Sequence, residues 1–276
     1  MTVTPGTLNV HPLPDPSRDS ATRRVWVWTP PGYERNASKR FPVFYLMDGQ
    51  NLFAGGESGS WHVDRAAAAE IAAGRVEPLV LVGVENGGRD REGEYTRVKW
   101  RDKGGHAERH LSFLIDEVRP FVERNYRVRR GAAATAVGGS SLGALFSLFV
   151  GLRHPESFGS IMAMSPSVFW GEDDMLGFVE EHAAPSTRIW LDVGARETLR
   201  MRKGLRQLAA VMIRCGWHRG RGRRGGSLRV VEDPAGKHDE TSWGRRFARA
   251  LRFLFPRQRA LPLRHGVRGR SRSVVR

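Results

Sequence analysis

Gly139-Ser140-Ser141-Leu142-Gly143 sets a serine between two glycines, each two residues away. Read as G-x-S-x-G, with an apolar strand before it and an apolar helix after it, the segment puts a nucleophile on a sharp turn. Such a turn holds the serine backbone in unfavourable torsions and projects its hydroxyl beyond the strand end. Strand and helix then approach so closely that only small residues fit on either side, and Gly139 and Gly143 meet that need. A frame centred on Ser140 would put Leu142 where a small residue is required, so Ser141 is the candidate nucleophile. A phosphate-cradling loop fits poorly, because no Lys-Ser/Thr pair follows and the glycine spacing differs.

A serine hydroxyl needs a base to take its proton, and the base needs an orienting carboxylate. After a G-x-S-x-G turn these partners come in the chain order acid, then histidine, on loops beyond later strands. The apolar run 189–193 is followed by Gly194-Ala195-Arg196-Glu197, which makes Glu197 the candidate acid. Its competitor, Asp192, lies inside the run rather than past it. The bland alternative for Glu197 is an acidic residue at the start of the next helix, where the dipole favours it. The run 228–231 leads through Gly236 to His238, the candidate base and the one histidine of that segment. His218 and His265 lie in basic segments and His182 precedes a strand, so none is placed for the role. An oxyanion formed at the acyl carbon needs two backbone donors. These are expected to be the N–H of Leu142, next to the nucleophile, and the N–H of Gln50 in the loop after an early strand.

These loops must be held by a sheet. Short apolar runs at 24–29, 41–47, 79–84, 132–137, 161–164, 189–193 and 228–231 read as strands. Between them, 61–73, 106–122, 144–153, 199–215 and 243–255 read as helices. In 106–122 the residues Leu111, Leu114, Ile115, Val118, Phe121 and Val122 share one face. In 199–215 Leu205, Leu208, Met212 and Ile213 are expected to face inward. Alternation of this kind gives the fold class α/β, a mostly parallel central sheet with helices on both faces; the G-x-S-x-G turn, followed by acid and then histidine, makes it the α/β-hydrolase fold. The chain divides into an N-terminal extension (1–21), a catalytic domain (22–256) and a basic tail (257–276) expected to be disordered.

Of 276 residues, 40% are hydrophobic and 27% charged, a globular composition. The formal net charge is +16, but 216–226 carries four Arg and 257–276 seven Arg, with no acid in either. The remainder is therefore near +5 (16 − 11). Arg/Gly segments can bind phosphate backbones, but apart from Trp217 they offer no aromatic residue for base stacking; a solvated loop and tail are favoured. The single cysteine, Cys215, allows no disulfide within the chain and is read as a buried structural thiol. The N-terminus lacks a basic stretch with an apolar core, and no run nears the roughly 20 apolar residues of a membrane span. A cytoplasmic protein without membrane contact is the expectation. His106 and His110 stand four apart, but HAERH is not H-E-x-x-H and no third ligand appears, so the pair reads as a solvated helix start. No metal or cofactor is called for.

LMDGQNLF (46–53), GVENGG (83–88), SFLIDEVRPFVERNY (112–126), GGSSLG (138–143), MSPSVFW (164–170), DVGARE (192–197) and GKHDETSW (236–243) together resemble the putative-esterase family. It includes enterochelin-type siderophore esterases, feruloyl esterases, S-formylglutathione hydrolases and mycolyltransferases. The resemblance spans about residues 22 to 256, with its motifs in order. It implies Ser141, Glu197 and His238 as nucleophile, acid and base, and Gln50 as the second oxyanion donor. It also implies that Trp61, Arg91, Tyr95 and Trp170 lie near the substrate cleft. The segment 216–226 departs from the family at the end of the sheet away from the catalytic loops, and the tail after Phe255 has no counterpart. Three functions stay open: a carboxylic-ester hydrolase acting on a small-molecule ester, an acyltransferase on the same triad, and a nucleic-acid binder using its basic tail.

Overall fold

Runs of Val, Ile, Leu and aromatic residues form an eight-stranded sheet whose two faces are both covered. A computed structural model of the chain describes residues 5–16, 22–54, 59–220 and 227–257. In chain order the elements are β1 (Thr7–Pro14), β2 (Thr22–Thr29), β3 (Val43–Met47), α1 (Val63–Ala72), β4 (Val80–Val84), α2 (Arg91–Tyr95), β5 (Lys99–Trp100), β6 (Lys103–Gly104), α3 (Ala107–Ser112) and α4 (Arg119–Asn125). Then follow β7 (Thr135–Ser140), α5 (Leu142–Arg153), β8 (Ser160–Met164), α6 (Asp174–Glu181), β9 (Arg188–Gly194), α7 (Leu199–Arg214), β10 (Leu228–Asp233) and α8 (Glu240–Leu254). The sheet order is β1-β2-β4-β3-β7-β8-β9-β10. β1 and β2 are antiparallel to their neighbours and the other strands run parallel. This is the α/β-hydrolase fold expected from the sequence.

Alternate residues of each central strand serve opposite cores. In β3, Val43, Tyr45 and Met47 point into a core closed by α3, α4, α5, α6 and α7. Phe44 and Leu46 point into the other, closed by α1 and α8. All five residues of β3 are buried, as a parallel strand covered on both faces requires. Glu70 ties α1 to α8: its buried carboxylate accepts from Arg75 of the following turn (2.7 and 2.8 Å) and from Arg252 (2.6 and 2.7 Å). Burial alone would raise that carboxyl. The two guanidinium groups outweigh it and hold the pKa down at about 2.

The structure departs from the sequence reading in several places. Residues 7–14, assigned to an extension, form the edge strand β1 and pair along their whole length with β2. Their exposed Leu8 and Val10 weaken the alternation, and Pro12 and Pro14 argue against a strand anywhere but at an edge. The short elements α2, α6 and the β5–β6 hairpin had no periodicity long enough to find. The helix read at 106–122 runs from α3 to α4 through one π-helical stretch, Phe113–Val118. Pro120, just beyond it, has no N–H to continue the i→i−4 ladder. Ile213 is 44% exposed although Met212 beside it is fully buried, because it lies off the inward stripe of Leu205, Leu208 and Met212. Cys215 is half-buried at the end of that helix rather than fully buried. Trp217 closes the connection by donating to the Thr187 carbonyl (2.9 Å). His110 is not solvated: it is 1% exposed and packs against Tyr95, Phe113 and Phe146. The Arg/Gly stretch 221–226 and the tail from 258 on lie outside the described residues. Among those described, no helix is long and apolar enough to cross a membrane.

Candidate active site

Six parallel strands, β3, β4, β7, β8, β9 and β10, deliver their following loops to one edge of the sheet. Ser141 follows β7 and precedes α5 with φ 57° and ψ −120°, torsions an L-residue adopts only under constraint. The constraint is steric. A Cβ on Gly139 would lie 2.8 Å from the backbone of Gly143, and one on Gly143 would lie 3.1 Å from the Asp48 carboxylate. The strand and the helix therefore meet backbone to backbone, as the spacing of the glycines predicts, with the side chains of Met47 and Asp48 packed against them.

Ser141 Oγ lies 3.0 Å from Nε2 of His238, whose Nδ1 lies 2.9 Å from Glu197 Oε2. An ionised carboxylate can only accept, so Nδ1 carries the hydrogen and donates to Glu197, and Nε2 is left to accept from the serine. A second hydroxyl, Ser167, is 3.1 Å from Ser141 Oγ. The loops of acid and base are laced together: Ala195 N–H donates to Asp233 O (2.8 Å) and Arg196 N–H to Gly236 O (3.0 Å). Gly194 and Gly236 are needed where the loops cross, since a Cβ on Gly194 would sit 2.2 Å from the Gly236 carbonyl oxygen.

Glu197 is fully buried at its side chain, while that of His238 is 39% exposed. Burial raises the Glu197 carboxyl, but hydrogen bonds from His238, from Ser165 Oγ (2.6 Å) and from Gly194 N–H (2.8 Å) outweigh it. The net result is a pKa below the ordinary carboxylate value. Asp192, the rejected competitor, lies inside β9 with no exposure and pairs with Arg246 (3.1 Å). Burial pushes its carboxyl up to about 6, with Arg246 and the Trp190 indole opposing in part.

Gln50 is the second residue of a 3-10 turn (Gly49–Asn51) after β3, and Leu142 is the first residue of α5. Backbone N–H groups in a first helical turn have no acceptor within the helix. Asp48 begins the Gln50 turn in a left-handed conformation, φ 60°. Its carboxylate is gripped by Arg91 (2.7 and 2.8 Å) and by the Asn86 amide (2.6 Å). Desolvation opposes the charge on Arg91, but the Asp48 carboxylate more than restores it and raises the pKa.

Ser141 and His238 open into a cleft of about 730 Å³, walled among the described residues by Gln50, Trp26, Trp61, Arg91, Glu240 and Trp243 with others. Of the four residues assigned to the cleft by resemblance, Trp61 and Arg91 line it. Tyr95 and Trp170 do not. Tyr95 is 1% exposed under Arg91, its hydroxyl accepting from Asp48 N–H (3.0 Å). Trp170 is spent on the hairpin, donating to Val98 O (3.0 Å). Sequence reasoning missed Asp48, Ser165, Ser167 and Arg246. Arg246 had a signal: it interrupts the apolar stripe Trp243, Phe247, Ala250, Leu251 and Leu254 of α8, a place where an unpaired charge would be costly. Among the described residues no group of three or more His, Cys, Asp or Glu could hold a metal ion.

The family model described as Putative esterase matches residues 20–254. The uncharacterized protein YbbA of Bacillus subtilis is 30% identical over 186 residues, 64% of this chain and 70% of that protein. Ferri-bacillibactin esterase BesA of the same species is 28% identical over 159 residues, 49% of this chain and 51% of its own length, so the chain spans about half of that relative. The crystal structure of BES protein from Bacillus cereus superposes with a TM-score of 0.71 at 18% identity, covering 92% of this chain and 97% of that one.

Proposed function

Because the chain belongs to the putative esterase family, we propose that it is a serine-dependent carboxylic-ester hydrolase working through an acyl-enzyme on Ser141. The observation that carries this reading is the unbroken chain from Ser141 Oγ through His238 to the buried Glu197, at 3.0 and 2.9 Å. Ser141 attacks the acyl carbon while His238 Nε2 takes its proton, and Glu197 stabilises the imidazolium so formed. The backbone N–H groups of Gln50 and Leu142 receive the charge on the carbonyl oxygen. His238 then hands its proton to the leaving alcohol. A water activated by the same nitrogen attacks the acyl-enzyme and releases the acid. A cleft of about 730 Å³ suits a bulky ester, and the name of BesA puts siderophore esters first in a substrate screen.

The test is labelling by a fluorophosphonate probe, with the modified residue mapped by mass spectrometry. Modification at Ser141, abolished in His238→Ala, is the expected result. Ser141→Ala should lower kcat on an accepted ester by roughly 10³-fold or more with the fold retained. A folded wild-type protein that takes no label, or hydrolysis that survives Ser141→Ala, would refute the assignment.

A further inference from the structure

Behind the triad lies a buried polar cluster that the reaction steps above do not use. Ser165 follows β8 directly, is 0% exposed and has φ 46°. Its hydroxyl is within hydrogen-bonding distance of three groups: Glu197 Oε1 (2.6 Å), Trp243 Nε1 (3.0 Å) and Arg246 Nη2 (2.9 Å). A hydroxyl has one hydrogen and two lone pairs. An indole N–H and a guanidinium N–H can only donate, so they occupy the two lone pairs. The single hydrogen has one acceptor left, Glu197. α8 supplies both donors from one face, Trp243 and Arg246 standing three residues apart. The charge on Arg246 is balanced by Asp192 at 3.1 Å, with Glu197 Oε1 at 3.7 Å and Asp233 at 3.9 Å.

Building on the triad reading, we propose that Ser165 is a positioning residue, its hydroxyl locked by Trp243 and Arg246 into donating to Glu197 so that the other carboxylate oxygen stays aimed at His238. Glu197 Oε1 is thereby pinned by Ser165 and by the Gly194 N–H (2.8 Å), and Oε2 has one direction left. The left-handed backbone at Ser165 fits this role. Such torsions persist in a non-glycine residue only where the surroundings over-determine them, and here they turn the hydroxyl toward the acid.

Two variants test the proposal. Ser165→Gly removes the hydroxyl at a position whose torsions glycine adopts freely, and Ser165→Ala removes it with the backbone strain retained. Both are compared with wild type on a short nitrophenyl ester, by kcat, KM, the pH profile of kcat/KM and thermal melting. In Ser165→Gly, kcat is expected to fall about 10- to 100-fold with KM within about threefold, less than the roughly 10⁴-fold that disabling the acid itself costs a serine triad. The acid limb of kcat/KM should move, because the carboxylate that faces the catalytic imidazole loses one of its donors. A kcat within threefold of wild type, or a fall in kcat with an unmoved acid limb, would overturn the positioning role. Fluorophosphonate labelling of the wild type separates the two readings. If Ser141 is labelled and Ser165→Gly is fully active, this inference alone fails; if Ser141 is not labelled, the triad reading fails first.

Discussion

Replacing Gly194 by Ala tests whether the crossing of two backbones sets the acid–base geometry. A Cβ at 194 would lie 2.2, 2.3 and 2.9 Å from the O, C and Cα of Gly236, where ordinary contact begins at 3.4 Å. The shortest contact must therefore open by about 1.2 Å (3.4 − 2.2). All three atoms are backbone, so no side-chain rotation relieves the clash, and the loop carrying His238 must move off the loop carrying Glu197. Added to the present 2.9 Å, a shift of that size takes Nδ1 to about 4 Å from the carboxylate, outside hydrogen-bonding range. A misplacement near 1 Å can cost about 10²-fold in rate, and overpacking costs about 1–3 kcal/mol. Gly194→Ala should therefore lose about 10²-fold in kcat/KM on a nitrophenyl ester and label more slowly with a fluorophosphonate. It should also melt several degrees lower, at about 2–4 °C per kcal/mol. Gly177→Ala is the control: its Cβ would meet nothing within 4 Å on the exposed face of α6, and the exchange should be neutral or slightly stabilising. Wild-type kinetics in Gly194→Ala would refute the reasoning.

Glu70→Gln should lower the melting temperature by a few degrees at pH 7. The carboxyl is held at about 2 when folded against about 4.3 unfolded, so its stabilisation is complete above about pH 5. It is lost as the pH falls toward 2, and the melting curves of variant and wild type should converge there. Asp48→Ala removes the acceptor for Arg91 and Asn86 and leaves an alanine at φ 60°; kcat should fall by up to about 10²–10³-fold, the cost of one oxyanion donor. Deleting residues 258–276 should leave kcat/KM unchanged, because every described residue of the site lies between 24 and 246; a tenfold loss would show that the tail serves the chemistry.

The candidate site was legible where the sequence writes a local rule. The glycines around Ser141 follow from close approach, and Glu197 and His238 from their places after β9 and β10. Periodicity found the long helices and buried strands. It failed for β1, whose outward Leu8 and Val10 hide the alternation, and for α2, too short to have a period. The cleft assignments divided for a physical reason. Trp61, just before α1, and Arg91, at the first residue of α2, reach the cleft wall, whereas Tyr95 and Trp170 fill the spaces beneath Arg91 and the β5–β6 hairpin, which sequence spacing does not reveal. Ser165, Trp243 and Arg246 meet only through tertiary contact, one residue from β8 and two from α8. The one local trace of that meeting is an arginine on the buried stripe of a helix.

Asp48, Ser141 and Ser165 each come directly after one of three neighbouring strands, β3, β7 and β8, with φ of 60°, 57° and 46°. Left-handed torsions in non-glycine residues cost about 1–3 kcal/mol each. Strain at one edge of the sheet thus accompanies the placement of the turn that carries Gln50, of Ser141 and of Ser165 behind Glu197. The reasoning has a direct check at Ser141, where φ 57° and ψ −120° are torsions that glycine adopts far more readily than any L-residue. Ser141→Ala and Ser141→Gly both abolish the nucleophile, so activity cannot tell them apart. Stability can. Alanine retains the strain and glycine releases it, so Ser141→Gly should melt above Ser141→Ala by about 2–4 °C for each kcal/mol of strain. The usual entropic cost of glycine works in the opposite direction. A Ser141→Gly protein that melts no higher than Ser141→Ala would therefore mean that the turn stores no net strain, and the nucleophile's position would have to come from packing alone.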